Sequence, residues 1–148
     1  MQGRGRWFHG RIRGCGYRLT LPRMKIVEVL NSSKGHLSAE EVFLKVHQIY
    51  PAVGLTTIYR TLEMLVASGI VGKINAGDGK ARYEFKKTPE EDPHFHLICK
   101  KCGNIINVEA NKELDKHINK VKEEYIKNYE FKVDNLQLRF YGLCKNCK

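Results

Sequence analysis

No run of apolar residues in the 148-residue chain approaches the roughly 18 that a membrane span needs. The N-terminal segment also lacks an apolar stretch of secretory-signal length. Both absences point to a cytoplasmic protein with no membrane partner. Acidic residues are missing from residues 1–17, MQGRGRWFHGRIRGCGY, and so is any hydrophobic periodicity. A Gly- and Arg-rich segment of this kind cannot make a core and reads as a mobile basic extension. Cysteine is scarce, with five in the chain, which in a cytoplasmic protein argues against a disulfide framework. Nothing resembling H-E-x-x-H is present, so a zinc hydrolase built on Glu84 beside histidines has little to support it, and no enzymatic activity is expected.

What is present is positive charge, unevenly spread. The formal net charge is +10, and residues 1–86 hold 14 Lys+Arg against 6 Asp+Glu, whereas residues 87–148 hold 12 against 10. A basic first half suits a phosphate backbone, with a merely soluble basic surface as the alternative.

Within that half, Thr20 can cap a helix with Pro22 in its first turn and Ile26, Val27 and Leu30 on one face; Gly35 ends the unit. Ser38 and Glu41 form a capping box that opens a second helix, which stops before Pro51. A third helix starts near Thr56 or Thr57 and runs to Gly69, with Ile58, Leu62, Leu65 and Val66 on one face and Thr56, Arg60 and Glu63 on the other. Two β-rich runs, IVGKI and ARYEF, flank the turn Asn75–Gly79. Three helices followed by a hairpin is the order of a winged helix-turn-helix. Residues 87–93 are polar and contain two prolines, and read as a hinge. Beyond it come strands at HFHLIC and NIINV, a helix with the stripe Leu114, Ile118, Val121 and Tyr125, and an alternating strand over FKVDNLQLRFYGLC. The predicted class is α+β: a basic extension over 1–17, a winged-helix domain over 18–86, the hinge, and a small α/β domain over 94–148.

Cys99, Cys102, Cys144 and Cys147 form two C-x-x-C pairs, CKKCG and CKNCK. Each pair places two sulfurs on one tight turn, and two such turns complete a tetrahedral zinc site. The 41 residues between Cys102 and Cys144 exceed the spacing of a compact zinc ribbon, so the ion would clip the chain end back onto the first strand of its domain. A thioredoxin-like redox site needs one such pair near a βαβ pattern, whereas both pairs here sit at strand ends. Cys15 is left over as an unpaired thiol.

A second donor set is looser. His94 and His96, two apart on a strand, project from one face. His36 taken singly is a loop residue and Glu84 an edge-strand charge. Together the four make a mixed nitrogen and oxygen set, drawn from both sides of the hinge, that suits Fe²⁺, Mn²⁺, Co²⁺, Ni²⁺ or Zn²⁺.

From about Gly16 to Lys148 the chain resembles the ferric uptake regulator family of bacterial repressors. The resemblance rests on GYRLTLPRMKIVEVL, HLSAEEVF, TTIYRTLEMLVASGIV, ARYEF, HFHLICKKCG and LRFYGLCKNC, in that order and spacing. It implies a homodimer, with the C-terminal domain serving dimerisation, that represses genes at a palindromic double-stranded operator when a regulatory metal is bound. No small-molecule substrate is implied. His36, Glu84, His94 and His96 fall on ligand positions for that metal. A fifth position, usually Glu or Asp, is Asn107, whose neutral amide oxygen is a weaker ligand. A further metal site of some members falls on Phe95, the Leu114 region and Leu136, so it is not expected here, and Glu113 and His117 read as solvated. Tyr59 and Arg60 match the recognition helix in the major groove, and Arg18 matches a basic side chain reaching toward the minor groove. Thr56 and Thr57 are placed for phosphate contact or for capping alone, and a half-buried core role competes for Tyr59. The segment TLPRMKIVEVL most resembles the iron-responsive branch, which implies Fe²⁺-responsive control of iron uptake. Peroxide sensing through metal-catalysed oxidation of His36 and His94 is the alternative, followed by nickel or zinc sensing. A zinc-ribbon nucleic-acid or protein interaction module is the reading from another class.

Overall fold

The computed structural model describes residues 10, 12, 14, 16–33, 35–86, 94–109, 111–133 and 136–148. Cys15, Trp7, His9 and the expected hinge at 87–93 lie outside the described residues, and His94 is described by its backbone alone. The chain forms two compact units, Met1–Glu91 and Asp92–Lys148.

In the first unit, helix α1 spans Leu21–Ser32 with Pro22 in its opening turn, where a missing N–H leaves no bond unmade. Thr20 occupies the cap position in extended conformation, but its side chain makes no capping bond. Helix α2 spans Ala39–Ile49 behind the expected capping box. The Glu41 N–H donates to Ser38 Oγ at 3.2 Å, and the Ser38 N–H donates to Glu41 Oε2 at 2.7 Å. Helix α3 spans Leu55–Ala67, one or two residues earlier than the sequence suggested, because Gly54 rather than a threonine takes the cap position. Its inner face is Ile58, Thr61, Leu62, Met64 and Leu65, with Val66 only partly buried. Gly69, at φ 69°, turns the chain out of α3 into the hairpin.

Strands β1 (Val71–Asn75) and β2 (Ala81–Phe85) pair antiparallel from Val71 opposite Phe85 to Asn75 opposite Ala81. A further bridge joins Leu37 to Tyr83, through N–H to carbonyl bonds of 2.7 and 3.0 Å. It ties the segment before α2 to the hairpin. The core holds Ile26, Leu30, Val42, Val46, Ile58, Leu62, Leu65, Ile70 and Val71. This is the winged helix-turn-helix that the order of elements predicted. One correction concerns the N-terminal extension: Ile12 is fully buried in this core. A single apolar anchor has no periodicity to betray it, so the expectation of a segment without core residues missed it.

In the second unit, β3 (His94–Cys99) lies at the centre of a three-stranded sheet. It pairs antiparallel with β4 (Ile105–Glu109) and parallel with β5 (Arg139–Gly142). Of the long alternating strand expected over 131–144, the described residues form strand over Arg139–Gly142 alone. Helix α4 spans Lys112–Tyr129, capped by Asn111, whose side chain accepts from the Leu114 N–H at 2.8 Å. None of its residues is fully buried: Leu114 and Ile118 of the apolar stripe are half-buried, and Val121, Tyr125 and Ile126 remain 44–50% exposed. Among the described residues no helix is long and apolar enough to cross a membrane.

Replacing Ile12 with Ala should cost about 2–5 kcal/mol of stability in the first unit, the usual cost of truncating a fully buried aliphatic side chain. Urea unfolding followed by circular dichroism measures it, and an unchanged midpoint would show that the N-terminal segment contributes nothing to the core.

Candidate metal centres and nucleic-acid interface

The first C-x-x-C pair lies on the turn between β3 and β4. There the Gly103 N–H returns to the Cys99 carbonyl and the Cys99 N–H to the Asn104 carbonyl, both at 2.9 Å. The second pair follows β5, and the Cys147 N–H donates to the Cys144 carbonyl at 2.9 Å. Because β5 runs parallel to β3, both turns emerge at the same end of the sheet. The Cys144 N–H then reaches Cys99 Sγ at 3.4 Å, and the Sγ atoms of Cys102 and Cys144 stand 3.7 Å apart. All four sulfurs lie within 4.8 Å of one another, and none forms a disulfide.

Those distances fit a metal. With a Zn–S bond of about 2.3 Å, the edge of a regular sulfur tetrahedron is about 3.8 Å. The charge state of the cluster agrees. Backbone N–H groups of Cys102 and Cys144 pull the Cys99 thiol down to about 6, while hydrogen bonds to the Cys144 and Cys102 thiols push Cys147 up to about 12. One thiolate forms readily and the last resists, as expected of four sulfurs that only a cation can hold ionised together.

The second donor set divides between the units. In the first, the Leu37–Tyr83 bridge brings the preceding and following residues face to face, and His36 Nε2 stands 3.0 Å from Glu84 Oε2. In the second, His96 lies directly opposite Asn107 across the β3–β4 pair, and His94 opposite Glu109. Cross-strand partners share a face of the sheet, so Asn107 stands where it can supply an oxygen beside the His96 imidazole. On the other side of His96 the register partner is Arg139 of β5. Sequence reasoning missed that neighbour, since the register of a parallel pair leaves no local signal. Of the positions expected not to form a further metal site, Phe95 is buried and Leu136 is 37% exposed. Glu113 and His117 are exposed on α4, with the His117 ring Nδ1 2.8 Å from the Glu113 carbonyl.

Four of the five residues expected to meet DNA fall on one helix. Thr56, Thr57, Tyr59 and Arg60 all lie on the exposed side of α3, the two threonines within its first turn. Both threonine side chains are free of a capping role, which Gly54 takes. Tyr59 is 39% exposed, against a core role, and its hydroxyl donates to Glu40 Oε1 at 2.9 Å. Arg18 is exposed ahead of α1, and its carbonyl accepts from Arg23 Nη1. In the wing turn, Asp78 accepts from the Lys80 N–H at 3.0 Å and pairs with Arg82 at 2.7 Å, which stiffens the tip.

A model of the ferric uptake regulator family matches residues 14–141. The chain belongs to that family. It is 38% identical over 137 residues to the ferric uptake regulation protein of Bacillus subtilis (strain 168), covering 92% of this chain and 89% of that protein. It is 30% identical over 142 residues to the peroxide-responsive repressor PerR of Staphylococcus epidermidis, covering 93% and 85%. Among solved structures, the ferric uptake regulator of Pseudomonas aeruginosa with manganese superposes with a TM-score of 0.76 at 30% identity, covering 93% of this chain and 97% of that one. Ferric uptake regulator family proteins are metal-responsive, dimeric, DNA-binding regulators of transcription, and this chain is one of that class.

Cys144→Ser should leave three thiolates and lower both metal content and stability. Metal analysis of purified protein should fall from about one zinc per chain, and thermal unfolding should start earlier. Wild-type protein with less than about half a zinc per chain and no destabilisation by chelator would remove zinc from the four-cysteine site.

Proposed function

We propose that the protein is a homodimeric repressor that binds a palindromic duplex operator when Fe²⁺ is bound, and thereby controls iron uptake. The observation that carries this reading is the His36–Glu84 pair, an imidazole and a carboxylate 3.0 Å apart at the edge of the wing. Borderline metal donors are thus built into the DNA-binding unit itself. In this reading His36 and Glu84 act with His94, His96 and Asn107 as the regulatory ligand set, and Cys99, Cys102, Cys144 and Cys147 hold a structural zinc. Ligation by residues from both sides of 87–93 favours one arrangement of the DNA-binding units, and so sets the two recognition helices at the spacing of the operator half-sites. Arg60 reads base edges or phosphates, Tyr59 lies beside it, Thr56 and Thr57 meet phosphate near the helix N-terminus, and Arg18 reaches the minor groove. The similarity to the Bacillus subtilis ferric uptake regulation protein supports iron as the signal. The similarity to the Staphylococcus epidermidis peroxide-responsive repressor supports a second reading, in which His36 and His94 are oxidised.

Operator binding titrated anaerobically with Fe²⁺, Mn²⁺, Zn²⁺ and Ni²⁺, then exposed to peroxide, separates these readings. Binding should require divalent metal, with Fe²⁺ effective at the lowest free concentration that matches its supply. His96→Ala should abolish the metal dependence while the four-cysteine site keeps its zinc. A mass gain of about one oxygen on His36 or His94 after peroxide would instead assign peroxide sensing. Binding indifferent to metal would replace the repressor by a metal-independent nucleic-acid module.

A further inference from the structure

The capping box of α2 is complete without Glu40. Ser38 and Glu41 exchange both of its bonds, and Glu40, the second residue of the helix, is left with its carboxylate beside the recognition helix. That carboxylate accepts the Tyr59 hydroxyl proton at 2.9 Å, linking α2 to α3 across 19 residues of sequence. Its own backbone N–H and then the Tyr59 hydroxyl hold Glu40 below the usual carboxylate range, with smaller contributions from the Ser38 hydroxyl and from Lys80 of the wing turn. The same bond is the main cause that raises the Tyr59 hydroxyl above its usual value. The hydroxyl is the donor of this bond and the carboxylate its acceptor.

Two consequences have opposite sign. An exposed tyrosine has two free side-chain torsions, and a bond from its tip to a different helix restricts both. Tied in this way, Tyr59 has its hydroxyl occupied and offers ring surface to whatever approaches α3. In the major groove the apolar target for such a surface is the thymine methyl group. A carboxylate on the same approach, however, repels phosphate and weakens binding to every sequence alike.

We propose that Glu40 is a positioning residue for sequence discrimination: it holds the Tyr59 ring for contact with a thymine methyl, at the expense of general affinity for DNA. The inference rests on the reading of α3 as the recognition helix. No resemblance assigned a role to Glu40, and in the sequence it is merely an acid in the first turn of a helix.

The test uses full-length protein with Mn²⁺ supplied and two duplexes: one selected by the wild-type protein from a random-sequence pool, and a shuffled version of it. Fluorescence anisotropy gives the affinity for each. Glu40→Ala should bind the shuffled duplex several-fold more tightly and lose about tenfold in the ratio of selected to shuffled affinity. Glu40→Gln, whose amide oxygen still accepts from Tyr59, should tighten shuffled binding to the same extent and keep most of the ratio. Tyr59→Phe should lower the ratio about as far as Glu40→Ala, and the double variant Glu40→Ala/Tyr59→Phe should lose no more than either single one. A ratio untouched by Glu40→Ala, or losses that add in the double variant, would overturn the inference while leaving the recognition helix in place. A wild-type protein that selects no duplex from the pool would overturn both.

Discussion

Four sulfur atoms from two sequence-distant turns can share one tetrahedron only if the chain between them folds back to its starting edge, and the second unit is built around that condition. A parallel pair needs a long crossover, which β4 and α4 provide between β3 and β5. The result brings Cys144, just past β5, to Cys99 at the end of β3. Little else closes the unit. Among its described residues only Phe95, Ile98 and Cys99 are buried apolar side chains, and α4 adds none. A core so small needs cross-linking from a metal, from a second chain, or from both.

The first unit is organised differently. Its core closes on itself, with three helices and the hairpin all contributing buried side chains, so the outer face of α3 is released for other work. The Leu37–Tyr83 bridge does two things at once: it fixes the hairpin to the helices, and it sets His36 against Glu84. Both side chains are thereby anchored to the wing. A hydrogen bond from Tyr59 to Glu40 also ties the exposed side of α3 to α2.

Membership in a family of dimeric regulators accounts for what the single chain leaves open. Val121, Tyr125 and Ile126 on α4, and Leu97, Ile106 and Phe140 on the sheet, are 41–50% exposed. Apolar surface on this scale, in a unit with so few buried residues, suits burial against a second chain. The asymmetry of charge has a matching explanation, since the basic half of the chain is the half that carries the helix-turn-helix and wing.

Much of this was legible before any coordinates. Ser38 and Glu41 announced α2, the periodicity of Ile58, Leu62 and Leu65 announced α3, and the two C-x-x-C pairs announced paired sulfurs on tight turns, because each is a local pattern whose physics acts over a few residues. Three features were not. Ile12 entered the core from a segment with no periodicity. Arg139 became the neighbour of His96 through a parallel register that no short stretch of sequence encodes. Glu40 met Tyr59 only because two helices pack at a particular angle. Sequence alone determined the elements, the donor chemistry and the family, since these depend on residue type and spacing. Tertiary structure alone decided which side chains stand beside one another, since that depends on how whole elements pack.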